Sequence, residues 1–257
     1  MKITVLIENS NPNNNLICEH GLSLFIQTEN KNILFDFGQT DAIIENAQKL
    51  GVDLKSVDLA ILSHGHYDHS GGIKAFLSVN DKAPVYMHEN CFNEHFNGTS
   101  KYIGIDKTLL SSDRLILIDS DIQIDENLSI CVSAKRELFY PIDSNGLNVI
   151  KNGEFIPDNF THEIYLVCNK KILISGCSHR GILNILKQFQ PSVFIGGLHL
   201  VKYEVGSEKL NYIANKINEQ STVIYSGHCT GEEQYSYLKT ILKNKLYPLS
   251  TGIKFEI

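Results

Sequence analysis

Three histidines and one aspartate fall within positions 64–69 (HGHYDH), directly after an apolar run at 57–62. Such a run reads as a strand buried on both faces, so the sheet that contains it delivers a dense set of ligand-type side chains at one strand end. Alternate residues leaving a strand point the same way, which lets His64 and His66 reach one metal ion. Gly65 lets the chain bend closely around it, and Asp68 with His69 falls on the following turn, facing a second ion. Imidazole and carboxylate donors suit zinc, iron or manganese rather than calcium or magnesium. The competing reading is a polar surface loop with incidental histidines.

The rest of the chain alternates strands and helices. Runs at 2–7, 22–28 and 32–36 read as strands, and NSNPNNN at 9–15 reads as a loop. Residues 40–50 switch to helical spacing, with Gly51 at the C-cap position. A second helix is expected with Ser70 as N-cap, running to Val79. Residues 89–112 show no clear period, and strands resume at 114–118 and 128–132. Residues 134–160, with Pro141, Gly146, Gly153 and Pro157, read as a long excursion. Beyond it the pattern predicts strands at 163–168, 171–175, 192–195, 222–225 and 253–257, and helices at 181–189, 207–220 and 232–242. Strand-rich stretches followed by strand–helix alternation occur twice, which predicts two similar halves within a single domain, 1–257.

Composition narrows the functional classes. With 42% hydrophobic and 20% charged residues the chain has the make-up of a globular protein. Lys+Arg 23 against Asp+Glu 29 leaves a net charge of −6, which supplies no general field for nucleic acid. No segment approaches the roughly 18 apolar residues of a membrane span, and the start MKITVLIENSN turns polar at Glu8, unlike a signal peptide. A soluble, cytoplasmic protein is expected. None of the six cysteines forms a CxxC pair, so they read as free thiols packed as small hydrophobes. Two stand apart: Cys177 lies near His179, and Cys229 next to His228. GxSxG, GxxxxGK[ST] and GxGxxG motifs are absent.

HGHYDHSGG resembles the signature of the metallo-β-lactamase superfamily. Together with HGLS (20–23), GCSHRG (176–181), GGLHL (196–200) and GHCTG (227–231), it is similar to one bacterial and archaeal branch. That branch is labelled as metal-dependent hydrolases or as dihydropterin-ribofuranosyl-aminobenzene-phosphate synthase-like proteins. The resemblance implies an α/β (α+β) fold, the four-layer αββα sandwich of this superfamily, across essentially the whole chain. It makes His64 and His66 ligands of a first metal and Asp68 and His69 ligands of a second, which His228 completes. The middle of the pattern departs from the usual one, because no histidine lies between His95 and His162. His179 stands in for the missing first-site ligand, unless it caps the following helix. Cys177 occupies the place of a bridging aspartate, either as a ligand or as a buried thiol. His199 either contacts substrate and donates a proton or is structural, and Arg180 either binds a phosphate or is a surface charge. His20, His88, His95 and His162 read as structural or exposed, and Cys229 as packing beneath its neighbour.

The implied reaction is hydrolysis of a phosphoester or other ester-like bond in a small molecule, phosphorylated or pterin-like, by hydroxide activated on two metal ions, with Asp68 also holding the proton. Zinc is the expected metal, with iron or manganese as alternatives. A synthase-like transferase and a metal-binding sensor without turnover are the competing readings. A di-iron oxidoreductase of this superfamily would carry glutamate in place of His66 and an attached flavin domain, and a nuclease would bring a basic arm. Residues 89–112 and 134–160 are expected to wall the substrate pocket, through Phe92, Phe96, Tyr102, Phe139 and Tyr140, with Lys101 or Arg136 available for a phosphate.

Overall fold

The structure, a computed structural model, describes residues 1–12 and 15–257, so Asn13 and Asn14 of the expected loop lie outside the described residues. The chain divides into two compact units. The first holds Met1–Asp119, Gly146–Asp158 and Ser250–Ile257, and the second holds Ser120–Asn145 and Asn159–Leu249.

The first unit is built on a seven-stranded sheet in the order Lys254–Glu256, Lys2–Ile7, Ser23–Gln27, Asn32–Phe35, Leu59–Ile61, Val85–His88, Leu115–Ile118. The first four strands pair antiparallel; from Asn32–Phe35 onward the pairings are parallel. Parallel pairing needs crossovers, and the amphipathic helices Ala42–Leu50 and Ile73–Val79 supply two of them. Each buries one face: Ile43 and Ala47 from the first and Ile73 and Phe76 from the second join Leu34, Ala60 and Val85 of the sheet. The second unit repeats the plan. Its sheet runs Ile122–Gln123, Leu128–Val132, Ile164–Cys168, Ile172–Ile174, Val193–Ile195, Val223–Ser226, Leu246–Pro248, antiparallel up to Ile172–Ile174 and parallel beyond. Helices Ile182–Phe189, Glu208–Asn218 and Glu232–Leu242 bury Leu186, Ala214 and Leu238 in its core. The doubled pattern seen in the sequence is therefore two sheets with one pairing scheme.

Two local expectations change. Ser70 does not cap a helix: it ends a single turn, Tyr67–Ser70, and the next helix starts at Ile73. The stretch 134–160 is not wholly irregular, since Leu147–Lys151 and Glu154–Pro157 form a hairpin within a small four-stranded sheet with His95–Asn97 and Lys101–Tyr102. Its turn residues Asn152 and Gly153 both have positive φ, 54° and 82°, as a two-residue turn between twisted strands requires. The Asn-Gly pair was the legible signal. Among the described residues no helix is long and apolar enough to cross a membrane.

Candidate functional site

In the first unit, strands Asn32–Phe35 and Leu59–Ile61 run parallel and adjacent, so their C-terminal ends bring Asp36 and Ser63 together. Asp36 is fully buried with φ 59°. Its carboxylate accepts from the Ser63 N–H and hydroxyl, each at 2.7 Å, and lies 2.7 Å from Nδ1 of His69. The Ser63 hydroxyl is also 2.8 Å from Nδ1 of His64. With Nδ1 of both rings engaged, Nε2 is the atom that each can turn toward a metal.

The HGHYDH side chains gather in one buried cluster. The His64 ring centroid lies 4.6 Å from that of His66 and 4.2 Å from that of His69, and in each pair ligand atoms come within 4.8 Å. Asp68 Oδ2 is 3.6 Å from His69 Nε2. All four residues are buried. Gly65 serves here through lack of bulk: a Cβ there would lie 2.4 Å from the Cys91 carbonyl oxygen and 2.7 Å from its Cα. Backbone cannot yield cheaply, so Gly65→Ala is expected to destabilise the protein by about 1–3 kcal/mol, the usual cost of overpacking. A urea midpoint equal to wild type would show that the 64–66 segment has slack.

Two histidines expected to be structural or exposed stand beside this group. His20 Nε2 is 3.3 Å from Asp68 Oδ2. The His95 ring lies 5.6 Å from that of His66, with Nδ1 2.6 Å from Asp158 Oδ2, and ligand atoms of His66, His95 and Asp158 fall within 4.8 Å of one another. Asp36, Ser63 and Asp158 escaped the sequence reading; only a charged residue ending the apolar run 33–35 hinted at the first.

In the second unit the candidate residues follow the C-terminal ends of three parallel strands, where sheets of this kind collect functional groups. Cys177 and His179 follow Ile172–Ile174, His199 follows Val193–Ile195, and His228 and Cys229 follow Val223–Ser226. The chain turns through left-handed backbone at Ser178, His199 and His228. Ligand atoms of Cys177, His179 and His199 lie within 4.8 Å of one another, as do those of Cys177, His228 and Cys229. Hydroxyls brace the turns: Ser178 Oγ donates to the Gly197 carbonyl at 2.7 Å, and Ser226 Oγ to that of Gly196 at 2.8 Å. Burial opposes ionisation of Cys229, but its neighbours Cys177, His199 and His228 outweigh it and hold the thiol well below its usual range. Cys229 is buried, as expected of a thiol packed beneath His228, with its sulfur near the ligand atoms of Cys177 and His228.

His179 does not cap the helix Ile182–Phe189 through its side chain; its ring stacks on Phe160 at 4.4 Å. Its N–H donates to Glu163 Oε1 at 2.7 Å, while Arg180 N–H and the Tyr165 hydroxyl donate to Oε2 at 3.1 and 2.7 Å. Glu163 is fully buried, and desolvation raises its carboxyl above the ordinary range against those bonds. Arg180 is not a surface charge, and its guanidinium donates to the carbonyls of Asn159 and Ser133 at 2.8 and 3.4 Å. These bonds give it a structural task, tying the 176–181 turn to residues 133 and 159.

The residues expected to wall the pocket fall in both units. Tyr140 lines a cleft of about 340 Å³ in the second unit, together with His179 and His199. Phe96 packs edge-on to Tyr102 and Phe155, and Phe92 lies against the core of the first unit. Lys187 sits 4.3 Å over the Phe139 ring and Lys101 5.5 Å over Tyr67, while Arg136 pairs with Asp121.

Known proteins resemble this chain in sequence and in fold. The sequence profile of the metallo-beta-lactamase superfamily matches residues 16–143. An uncharacterised protein of Methanocaldococcus jannaschii is 32% identical over 255 residues, covering 95% of this chain and 96% of that one. The 7,8-dihydropterin-6-methyl-4-(beta-D-ribofuranosyl)-aminobenzene-5'-phosphate synthase of the same archaeon is 29% identical over 271 residues, 92% of this chain and 90% of its own. The crystal structure of a metal-dependent hydrolase of the beta-lactamase superfamily superposes with a TM-score of 0.86 at 30% identity, covering 100% of this chain and 99% of that one.

Proposed function

The chain belongs to the metallo-β-lactamase superfamily, and we propose that it is a metal-dependent hydrolase acting on a phosphoester or other ester-like bond of a small molecule. The observation that carries this reading is the buried cluster of His64, His66, Asp68 and His69, whose first and last imidazoles are anchored at Nδ1. Such a donor set fits a transition metal, and the thiols near His228 favour zinc over iron or manganese. We assign His64, His66, Asp68 and His69 as transition-metal ligands in the first unit and Cys177, His179 and His228 as transition-metal ligands in the second.

Metal ions of this kind supply hydroxide from water at neutral pH and stabilise charge on a leaving oxygen. The protein's own part is to hold and to exchange protons. Asp36 and Ser63 fix the orientation of two imidazoles. Asp68, between His69 and His20, holds the proton taken from water, and His199 contacts the substrate or returns a proton to the leaving group. The net charge of −6 supports a small molecule over nucleic acid as partner, in a cytoplasmic setting.

Similarity to the dihydropterin synthase favours a second reading, group transfer onto a pterin-like compound. Protein stripped with chelator and reloaded with zinc, manganese or iron separates the readings. Metal-restored cleavage of phosphomonoesters, phosphodiesters or carboxyl esters supports the hydrolase. Loaded protein that cleaves none but joins a dihydropterin activated with a leaving group to a phosphoribosyl compound, releasing that group and a proton, supports the synthase, and inertness in both assays supports a sensor. Within the hydrolase, His179→Ala is expected to lower metal content and turnover far more than Cys177→Ser. Wild-type metal content and turnover in the His179 variant would remove that residue from the ligand set.

A further inference from the structure

The cleft of about 340 Å³ in the second unit has the size of a small-molecule site. Its walls are largely apolar, from Tyr140, Ile142, Leu183, Leu200, Tyr203 and Ile213. In its lining Leu200 and His179 are buried, while Asp143 and Lys209 are substantially exposed. In this exposed part of the lining Lys209 Nζ is 2.7 Å from Asp143 Oδ2 and 4.7 Å above the Tyr203 ring. The paired charges cancel, so this end suits a neutral group that offers both a donor and an acceptor, not a free anion.

One wall is held by an unusual residue. Asn184, buried on the helix Ile182–Phe189, accepts at Oδ1 from the N–H groups of Phe139 and Tyr140, both at 2.8 Å. Its Nδ2 donates to the Tyr140 carbonyl at 3.0 Å and to that of Arg180 at 2.7 Å. The full capacity of the amide is engaged. It ties the Tyr140 wall to the turn that carries His179.

We propose that this cleft takes the flat, uncharged aromatic or heteroaromatic ring of the substrate, with the charged, reacting group at the His179–His199 side, and that Asn184 is a positioning residue that fixes the Tyr140 wall. The proposal rests on the hydrolase reading only in placing the reacting bond. A flat ring gains on tyrosine faces what a puckered ring of equal size does not, roughly up to tenfold in affinity.

Phenylphosphonate and cyclohexylphosphonate, which carry the same anion and cannot be hydrolysed as esters, test it by calorimetry on zinc-loaded protein. Phenylphosphonate is expected to bind about tenfold more tightly. Tyr140→Leu should bring the two within about twofold, Tyr140→Phe should keep the preference, and Asn184→Ala should reduce it at unchanged zinc content. Equal affinities in the wild type, binding of neither compound, or a preference unaltered in Tyr140→Leu would overturn the proposal. Should Asn184→Ala fail to fold, the two Tyr140 variants still decide the ring site, and Asn184→Asp, which keeps the acceptor oxygen, tests the positioning role: an unaltered preference overturns it and a reduced one supports it. A flat-ring preference in a protein that hydrolyses no ester leaves the ring site standing and removes the hydrolase reading alone.

Discussion

Replacing His66 and His69 together with alanine is expected to abolish metal binding at the HGHYDH group and to lower turnover by about a thousandfold or more. Metal-derived charge stabilisation is worth several kcal/mol, and each 1.36 kcal/mol is about tenfold in rate. Both side chains are buried, and His69 leaves Asp36 one hydrogen bond short, so a stability loss of about 1–3 kcal/mol accompanies the change. The fold should survive, because the core of the first unit is formed by residues such as Leu34, Phe37, Phe76 and Val85, which the substitutions leave in place. Elemental analysis and thermal melting of the double variant check both parts. Full metal occupancy in folded double variant would remove the two histidines from the site.

Asp36→Ala is expected to cost more stability than either histidine alone, about 3–5 kcal/mol, out of a total near 5–15 kcal/mol. Its removal leaves the Ser63 N–H, the Ser63 hydroxyl and the His69 ring without the acceptor each now uses, with both residues fully buried. Alanine is also a poor resident at φ 59°. Asp36→Asn keeps one acceptor oxygen and tolerates that backbone, so a smaller loss, about 1–2 kcal/mol, is expected. Metal affinity should fall roughly 10–100-fold in both, the usual effect of losing the partner that orients a ligating histidine. Urea denaturation and zinc titration measure the two effects; wild-type midpoint and affinity in Asp36→Ala would mean that Ser63 and His69 find other acceptors.

The local chemistry was legible because it is contiguous. Six adjacent positions hold the first ligand group, and the tight bend just past the strand Leu59–Ile61, where the His66 N–H donates to the His64 carbonyl at 3.1 Å, brings His64 and His66 to one place. The hairpin at 147–157 was equally local, and its Asn152-Gly153 turn stood in the sequence even where the excursion around it obscured the strands. Gly65 was read for flexibility, whereas the Cys91 backbone pressed against it makes it a matter of space.

What supports those ligands was decided only by tertiary structure. Asp36 meets Ser63 across 27 positions because two strands pair in parallel with a helix between them, and Asp158 meets His95 across 63 because a hairpin returns beside His95–Asn97. Asn184 likewise reaches back 44 positions to hold Tyr140. Residue type announces that a histidine can bind a metal or that an asparagine can make four hydrogen bonds. Which partner it meets depends on strand order and register, which the burial of apolar faces sets over the whole unit and which no local run of sequence contains.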